Sequence, residues 1–167
     1  VDANGSGHGA LADFLMRQGV DALICGGIGG GAQTALAEAG IPLDESLVIC
    51  TGTFNIQDSY TAMNRVLDSG ADFSAVFAIS DNTAIGAMRA LREHGRTVPD
   101  GCSVIAIDGI EVSDYIDPPL TTLCQPMEEM GRRSIQILLD MIEGRSGNCH
   151  EVLPTVLRPG GSVKTLV

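Results

Sequence analysis

The sequence contains no tryptophan, and its four Phe and two Tyr make up only 4% of the residues. Proteins that bind single-stranded nucleic acid stack bases on aromatic side chains, so this composition argues against such a surface. Basic residues are also few, because 10 Lys and Arg stand against 21 Asp and Glu, for a formal net charge of −11. A phosphate backbone would be repelled on average, and no run rich in Lys or Arg supplies a local exception. We therefore expect no nucleic-acid binding by this chain.

Long apolar runs are missing as well. A membrane-spanning helix needs roughly 18 consecutive apolar residues, and no stretch approaches that length, so we expect no membrane insertion. The cysteines form no CxxC pair and are odd in number, which argues against a disulfide framework. They are Cys25, Cys50, Cys102, Cys124 and Cys149. Free cysteines of this kind predict a cytoplasmic protein.

The sequence also lacks the motifs of common enzymes. It has no G-x-S-x-G elbow, no H-E-x-x-H, no Walker loop and no paired-carboxylate signature. The three histidines, His8, His94 and His150, lie far apart and have no metal-ligand spacing. We expect each to be a solvated surface residue, and we predict no catalytic activity, no metal site and no cofactor.

What the sequence does contain is a regular alternation of short apolar runs and amphipathic segments. Strands apolar on both faces, alternating with helices, predict a parallel sheet covered on both sides. We therefore predict a single α/β domain over residues 1–167, a three-layer sandwich with a flavodoxin-like or Rossmann-like sheet. The predicted strands are 20–25, 46–51, 74–79, 102–107, 120–124 and 152–157, and the predicted helices are 6–19, 32–39, 56–69, 80–94 and 126–144.

A glycine-rich loop follows the first predicted strand. Residues 27–32 fit the pattern G-x-G-x-x-G/A, so the backbone N–H groups of Gly27, Gly29 and Gly30 could hold a phosphate. A dinucleotide site would also need an acid at the end of the second strand, but that strand ends in Thr51-Gly52-Thr53. We favour a tight turn with close packing of helix on strand, and keep the phosphate loop as an alternative.

Polar groups follow the ends of successive predicted strands. In parallel sheets ligands bind beyond the carboxyl ends of the strands, and a few convergent polar groups suit a sugar or a nucleobase. The candidate ligand-binding residues are Phe54, Ser80, Asp108 and Gln125. Two alternatives remain open: Ser80 or Asp81 could simply cap the following helix, and Asp108 with Gly109 could form only a turn.

Several long stretches resemble one known family in the same order. Residues 75–92, 98–108 and 115–126 carry the resemblance, within a region from about 41 to 163 that is similar to the effector-binding domain of LacI/GalR-type transcriptional regulators. The resemblance implies half of a periplasmic-binding-protein-like fold, with Phe54 stacking on an effector and Asp108 receiving its hydroxyl groups. Ser80 stands where the family often has Asn, and Gly109 where a second acid is frequent. The family's DNA-binding headpiece and N-terminal subdomain have no counterpart here.

The first 40 residues resemble a different family. Residues 4–15 and 19–33 are similar to the NifX/NifB-like dinitrogenase iron-molybdenum cofactor proteins. Because both families could supply Ala35 to Ile41, we predict a seam near residues 35–44 and a recombined or engineered chimera. A metal-cofactor carrier, with His8 and Cys25 as inherited residues, is the further alternative that this resemblance implies.

Two main functions compete at this point. We favour a folded hybrid domain without catalytic activity, derived mainly from the effector-binding domain of a LacI/GalR-type regulator. The alternative is a working module that binds a sugar or nucleoside effector. The helix from Pro126 to Glu143 has an apolar stripe of Met130, Ile135, Leu138, Leu139 and Ile142 that must be covered. It therefore either docks on the sheet or mediates a homodimer.

Overall fold

The computed structural model describes residues 34, 38, 47–145 and 150–165. Apart from residues 34 and 38, the predicted elements before residue 40 lie outside these ranges. The same holds for the glycine loop with Gly27, Gly29 and Gly30, and for the seam near 35–44. These expectations stay predictions.

The described part of the chain forms three α-helices and four strands, and all but the last strand begin and end within two residues of the predicted bounds. In chain order they are α1 (Ile56–Asp68), β1 (Ala75–Phe77), α2 (Asp81–Glu93), β2 (Ser103–Asp108), a short 3-10 helix (Glu111–Asp114), β3 (Thr121–Cys124), α3 (Met127–Ile142) and β4 (Val156–Arg158).

The strands form one mostly parallel open sheet in the order β1-β2-β3-β4. β1, β2 and β3 are mutually parallel, as predicted. β4 is antiparallel to β3, with Val156 opposite Cys124, so the prediction of a wholly parallel sheet was wrong for this strand. The reason lies in the chain path. The chain leaves the sheet at the carboxyl end of β3, and it re-enters beside that same end, so its direction must reverse.

The predicted strand at 46–51 is also different. Residues 48–51 make no ladder with the four described strands. Leu47 is nevertheless buried, and Ile49 packs against the core. A short apolar run reports burial, and it does not by itself distinguish a strand from a buried irregular segment.

The core lies between α2 and one face of the sheet. Ala84, Ala90 and Leu91 of α2 have no exposed surface, and Val104 and Ala106 of β2 are at most 1% exposed. α1 packs across α2 and contributes Met63. This packing fixes the start of α2 beside the carboxyl ends of the strands, where the candidate site lies.

Candidate ligand-binding site

The carboxyl ends of β2 and β3 lie side by side and carry two of the predicted ligand-binding residues. Asp108 at the end of β2 pairs in register with Cys124, and Gln125 follows at once. Gln125 Nε2 donates a hydrogen bond to Asp108 Oδ1 at 2.9 Å. The Gln125 backbone N–H donates to the Asp108 carbonyl oxygen at 3.0 Å. The structure thus brings Asp108 and Gln125 into direct contact at the edge of the sheet.

The ionisation of Asp108 is shaped by this position. Burial raises the pKa of Asp108, and the nearby negative charge of Asp81 raises it further. Hydrogen bonds from the Asp81 backbone N–H and from the Gln125 side chain oppose the shift. The carboxyl group therefore takes up a proton at a higher pH than an ordinary Asp. On acidification the group thus loses the charge that strengthens the hydrogen bonds a carboxylate accepts from hydroxyl groups.

Asp81, the first residue of α2, has no exposed surface. Its Oδ2 accepts hydrogen bonds from the backbone N–H groups of Gly109 at 3.0 Å and Ile110 at 2.8 Å. Its Oδ1 accepts one from the hydroxyl of Thr122 on β3. Asp81 is therefore an internal anchor that ties α2, the loop after β2, and β3 together.

Ser80 is the N-cap of α2. Its Oγ accepts from the Thr83 backbone N–H at 3.2 Å, and the Thr83 hydroxyl accepts from the Ser80 backbone N–H at 3.1 Å. This reciprocal pair is a capping box, which satisfies backbone donors at the start of a helix. Ser80 is only 6% exposed, so its hydroxyl already serves the helix. A ligand contact from Ser80 stays a prediction.

Phe54 lies on the loop that leads into α1. Its side chain is 64% exposed, and Asn55 beside it caps α1 by accepting a hydrogen bond from the Asp58 backbone N–H at 2.7 Å. The cap holds the backbone next to Phe54 while the ring itself faces solvent. No described contact joins Phe54 to Asp81, Asp108 and Gln125, which we call the Asp108 cluster, so its stacking on a ligand also stays a prediction.

Sequence reasoning missed Arg158 on β4. Its guanidinium forms an ion pair with Asp114 at 3.0 Å, donates to the carbonyl oxygen of Ile110 at 3.2 Å, and donates to the hydroxyl of Ser113. A lone Arg after an apolar run carries little signal in the sequence, because its partners are more than forty residues away. Arg158 and Asp81 therefore both bind the loop after β2. Arg158 donates to its carbonyl and hydroxyl oxygens, and Asp81 accepts from its N–H groups.

A groove of about 540 Å³ lies elsewhere on the molecule, between α2 and the segments before β2 and β3. Its lining includes Ile85, Arg89, Arg92, Arg96 and Ile116. It shares no residue with the Asp108 cluster, so it does not belong to the candidate site.

Across residues 47–145 and 150–165, no three His, Cys, Asp or Glu side chains lie close enough to hold a metal ion together. No helix in that part of the chain has the length and apolar character needed to cross a bilayer.

The family profile described as "Periplasmic binding protein-like domain" matches residues 26–163, most of the chain. The chain belongs to this family. The open, mostly parallel sheet is the one expected of a periplasmic binding protein-like domain, and the match begins before the predicted boundary near residue 41. A second profile, described as "Dinitrogenase iron-molybdenum cofactor", matches residues 1–44.

Curated relatives of this periplasmic binding protein-like domain are transcriptional regulators. The HTH-type transcriptional regulator MalR of Clostridium butyricum is 35% identical over 127 residues, which cover 76% of this chain and 38% of MalR. The repressor MelR of Bacillus subtilis is 38% identical over 124 residues, which cover 74% of this chain and 36% of MelR. The chain therefore spans little more than a third of the length of these relatives.

Solved structures agree with this assignment. A complex of the transcriptional regulator CelR with cellobiose matches with a TM-score of 0.82 at 32% identity, covering 97% of this chain and 52% of CelR. A LacI-family regulator from Enterococcus faecium with bound ribose matches with a TM-score of 0.76 at 30% identity, covering 96% and 63%. The predicted likeness to LacI-type effector domains is confirmed.

Proposed function

We propose that this periplasmic binding protein-like domain binds a small sugar or nucleoside at the carboxyl edge of its sheet, as the effector-sensing part of a transcriptional regulator. The observation that carries the proposal is the Asp108 and Gln125 pair. Its carboxylate and amide are held together at 2.9 Å where parallel strands end. Neutral polyhydroxyl ligands are recognised by a few fixed hydrogen-bonding groups of this kind.

Two further residues support a sugar as the ligand. The exposed ring of Phe54 offers an apolar surface that a sugar ring could stack on. Ser80 caps α2 directly before Asp81, whose side chain binds the backbone that follows Asp108, so Ser80 lies near Asp108. The solved relatives with bound cellobiose and bound ribose place sugars in the same type of fold.

The length of the relatives bears on affinity. Ligand pockets of this size class bury most of the surface of a small ligand, and burial requires walls on both sides. Because this chain spans about a third of its curated relatives, we expect it to supply one wall. Binding by the chain alone should therefore be weak, with a Kd in the millimolar range.

Thermal unfolding of the purified chain with cellobiose, with ribose and with a panel of nucleosides tests the proposal. A ligand that binds only the native state at about ten times its Kd stabilises that state by about 1.4 kcal/mol. For a chain of this size the midpoint should rise by roughly 3–6 °C. Asp108→Ala should remove the rise, because it deletes the carboxylate.

Asp72→Ala is the matched control, since Asp72 is fully exposed and lies at the other end of the sheet, before β1. It should keep the ligand-induced rise. A rise that survives Asp108→Ala, or a panel in which no compound raises the midpoint, would contradict the proposal.

A folded hybrid without sensing function is the second candidate. The observation that favours it is the overlap of the two family profiles. Both match residues 26–44, a range that includes the predicted seam at 35–44. A cooperative melt that no compound shifts is its expected result. The metal-cofactor carrier rests on residues 1–44 alone, and it differs from both by predicting iron in the purified protein.

A further inference from the structure

The Asp81 side chain binds the backbone that directly follows Asp108. Its carboxylate accepts hydrogen bonds from the N–H groups of Gly109 at 3.0 Å and Ile110 at 2.8 Å. Movement of the loop after Asp108 would break both of these bonds.

The backbone at this point needs such support. Asp108 has a φ of +134°, which a residue with a side chain rarely adopts, and Gly109 follows at +79°. Glycine adopts a positive φ freely, but for Asp108 the conformation is strained and persists only where the surroundings enforce it. Asp81 holds the N–H groups of residues 109 and 110, and Arg158 donates to the carbonyl oxygen of Ile110 at 3.2 Å.

The Asp81 side chain is not needed to cap α2. Ser80 and Thr83 already form the capping box there. Burying a carboxylate is costly unless donors compensate it, and the three donors to Asp81 all come from outside its own helix, from Gly109, Ile110 and Thr122. The buried charge therefore acts on the loop after β2 and on β3.

We propose that Asp81 is a positioning residue, whose buried carboxylate fixes residues 108–110 so that the Asp108 carboxylate faces the ligand edge of the sheet. The ligand part of this inference rests on the proposed function. Its structural part, the dependence of Asp108 on Asp81, can be measured without any ligand.

The experiment compares the full chain with Asp81→Ala, Asp81→Asn and the exposed control Asp72→Asn. NMR reports amide hydrogen exchange at residues 104–110 and the titration of the Asp108 carboxyl carbon, and calorimetry reports the Kd for cellobiose and for ribose. All variants are compared under conditions where each is folded, so that a loss of global stability is not counted as a loss of binding.

Asp81→Ala should speed exchange at Gly109 and Ile110 about tenfold relative to Val104, because each loses a buried acceptor. It should also weaken sugar binding about tenfold, since the carboxylate of Asp108 is no longer held. Asp81→Asn keeps an oxygen for the two N–H groups and can donate to the Thr122 hydroxyl. It should therefore restore exchange and Kd to within about threefold of wild type.

The Asn variant also removes a negative charge next to Asp108. The pKa of Asp108 should fall, so the loss of sugar binding on acidification should move to lower pH. A residue that served stability alone would lower the unfolding midpoint of Asp81→Ala and leave the Kd of the folded protein and its pH profile unchanged. That result would overturn the proposal.

If Asp81→Ala does not fold, Asp81→Ser replaces it. The Ser hydroxyl oxygen lies one bond closer to the backbone than the Asp carboxylate oxygens and cannot reach the same N–H groups. Unchanged exchange at Gly109 and Ile110 in this variant would overturn the proposal. If neither sugar nor any nucleoside of the panel binds wild type, the proposed function fails, and the exchange and titration data alone decide the role of Asp81.

Discussion

His94 closes the last turn of α2 and links it to α1. Its Nδ1 lies 3.0 Å from the Ala90 carbonyl oxygen, and its Nε2 lies 3.1 Å from Asp68 Oδ1. The hydrogen bond with Asp68, followed by that with the Ala90 backbone, raises the pKa of His94. Protonated His94 is thus favoured in the folded state. Its contribution to stability is fully present below its ordinary pKa, and it is lost as pH rises through the raised value.

We expect the His94→Gln variant to have a lower free energy of unfolding than wild type at low pH, and we expect this difference to shrink as pH rises. Urea unfolding at about pH 5.5 should show the variant less stable, and at about pH 8.5 the two should converge, because neutral imidazole no longer attracts the Asp68 carboxylate. Asp68→Asn should show the same convergence. A gap of equal size at both pH values would contradict the assigned cause.

Individual polar residues at strand ends also show what a sequence can predict. The position of Asp108 and Gln125 at one edge follows from strand order, because carboxyl ends of parallel strands meet. For Ser80 the sequence left two roles open, helix cap and ligand contact, because a hydroxyl directly before a helix can serve either. The bonds of Asp81 to Ile110 and Thr122 could not be predicted, because they depend on three-dimensional register and not on spacing.

At the scale of elements, α1 crosses α2 closely because Gly86 has no side chain. A Cβ at position 86 would lie 2.3 Å from the Ile56 carbonyl oxygen and 2.9 Å from the Tyr60 nitrogen. Gly131 in α3 is the contrasting case, since a Cβ there meets nothing within 4 Å. Gly86 in α2 and Gly131 in α3 are therefore a matched pair, one packed against a neighbouring helix and one open.

Gly86→Ala should destabilise the chain by about 1–3 kcal/mol, because the clash with α1 backbone outweighs the better helix propensity of alanine. Gly131→Ala should stabilise it by about 0.5–1 kcal/mol, since only the propensity changes. Denaturant unfolding gives both values. A Gly86→Ala variant at least as stable as wild type would mean that α1 can shift away without loss.

The elements were predicted well where a local pattern decides them. The capping and periodicity of α1 and α2 define both ends, so their bounds match to one or two residues. β4 was placed too early and in the wrong direction, because its pairing with β3 is set by where the chain returns after α3. Apolar side chains such as Val152 can belong to a strand or to an exposed connection, and the structure puts Val152 in the connection at 79% exposure.

At the scale of the whole molecule, α3 is the element of the described part of the chain whose apolar face is left exposed. Among the described helices it alone has no buried residue, although it carries a long apolar face. The large apolar side chains exposed on it are Met127, Met130, Ile135, Leu138, Leu139, Met141 and Ile142. Contiguous exposed apolar surface of this kind marks an interaction site. Docking on the described sheet, one of the two expected outcomes for this helix, is not what the structure has.

We therefore expect the chain to form a homodimer through the helix from Pro126 to Glu143. Sedimentation equilibrium should show a monomer–dimer equilibrium that shifts toward dimer as salt is raised, because the net charge of −11 opposes association until it is screened.

Leu138→Lys should abolish the dimer by placing a charge in the apolar face. Gln136→Lys adds the same charge beside Asp140 and should leave the dimer intact, because Gln136 bonds to Asp140 and not to the apolar face. A chain that stays monomeric at every concentration and salt level would contradict the homodimer and would assign the α3 face to contact with a part of a longer protein. The sugar-binding proposal would not be affected, because Asp108 lies on β2 and Gln125 directly follows β3, and neither lies on α3.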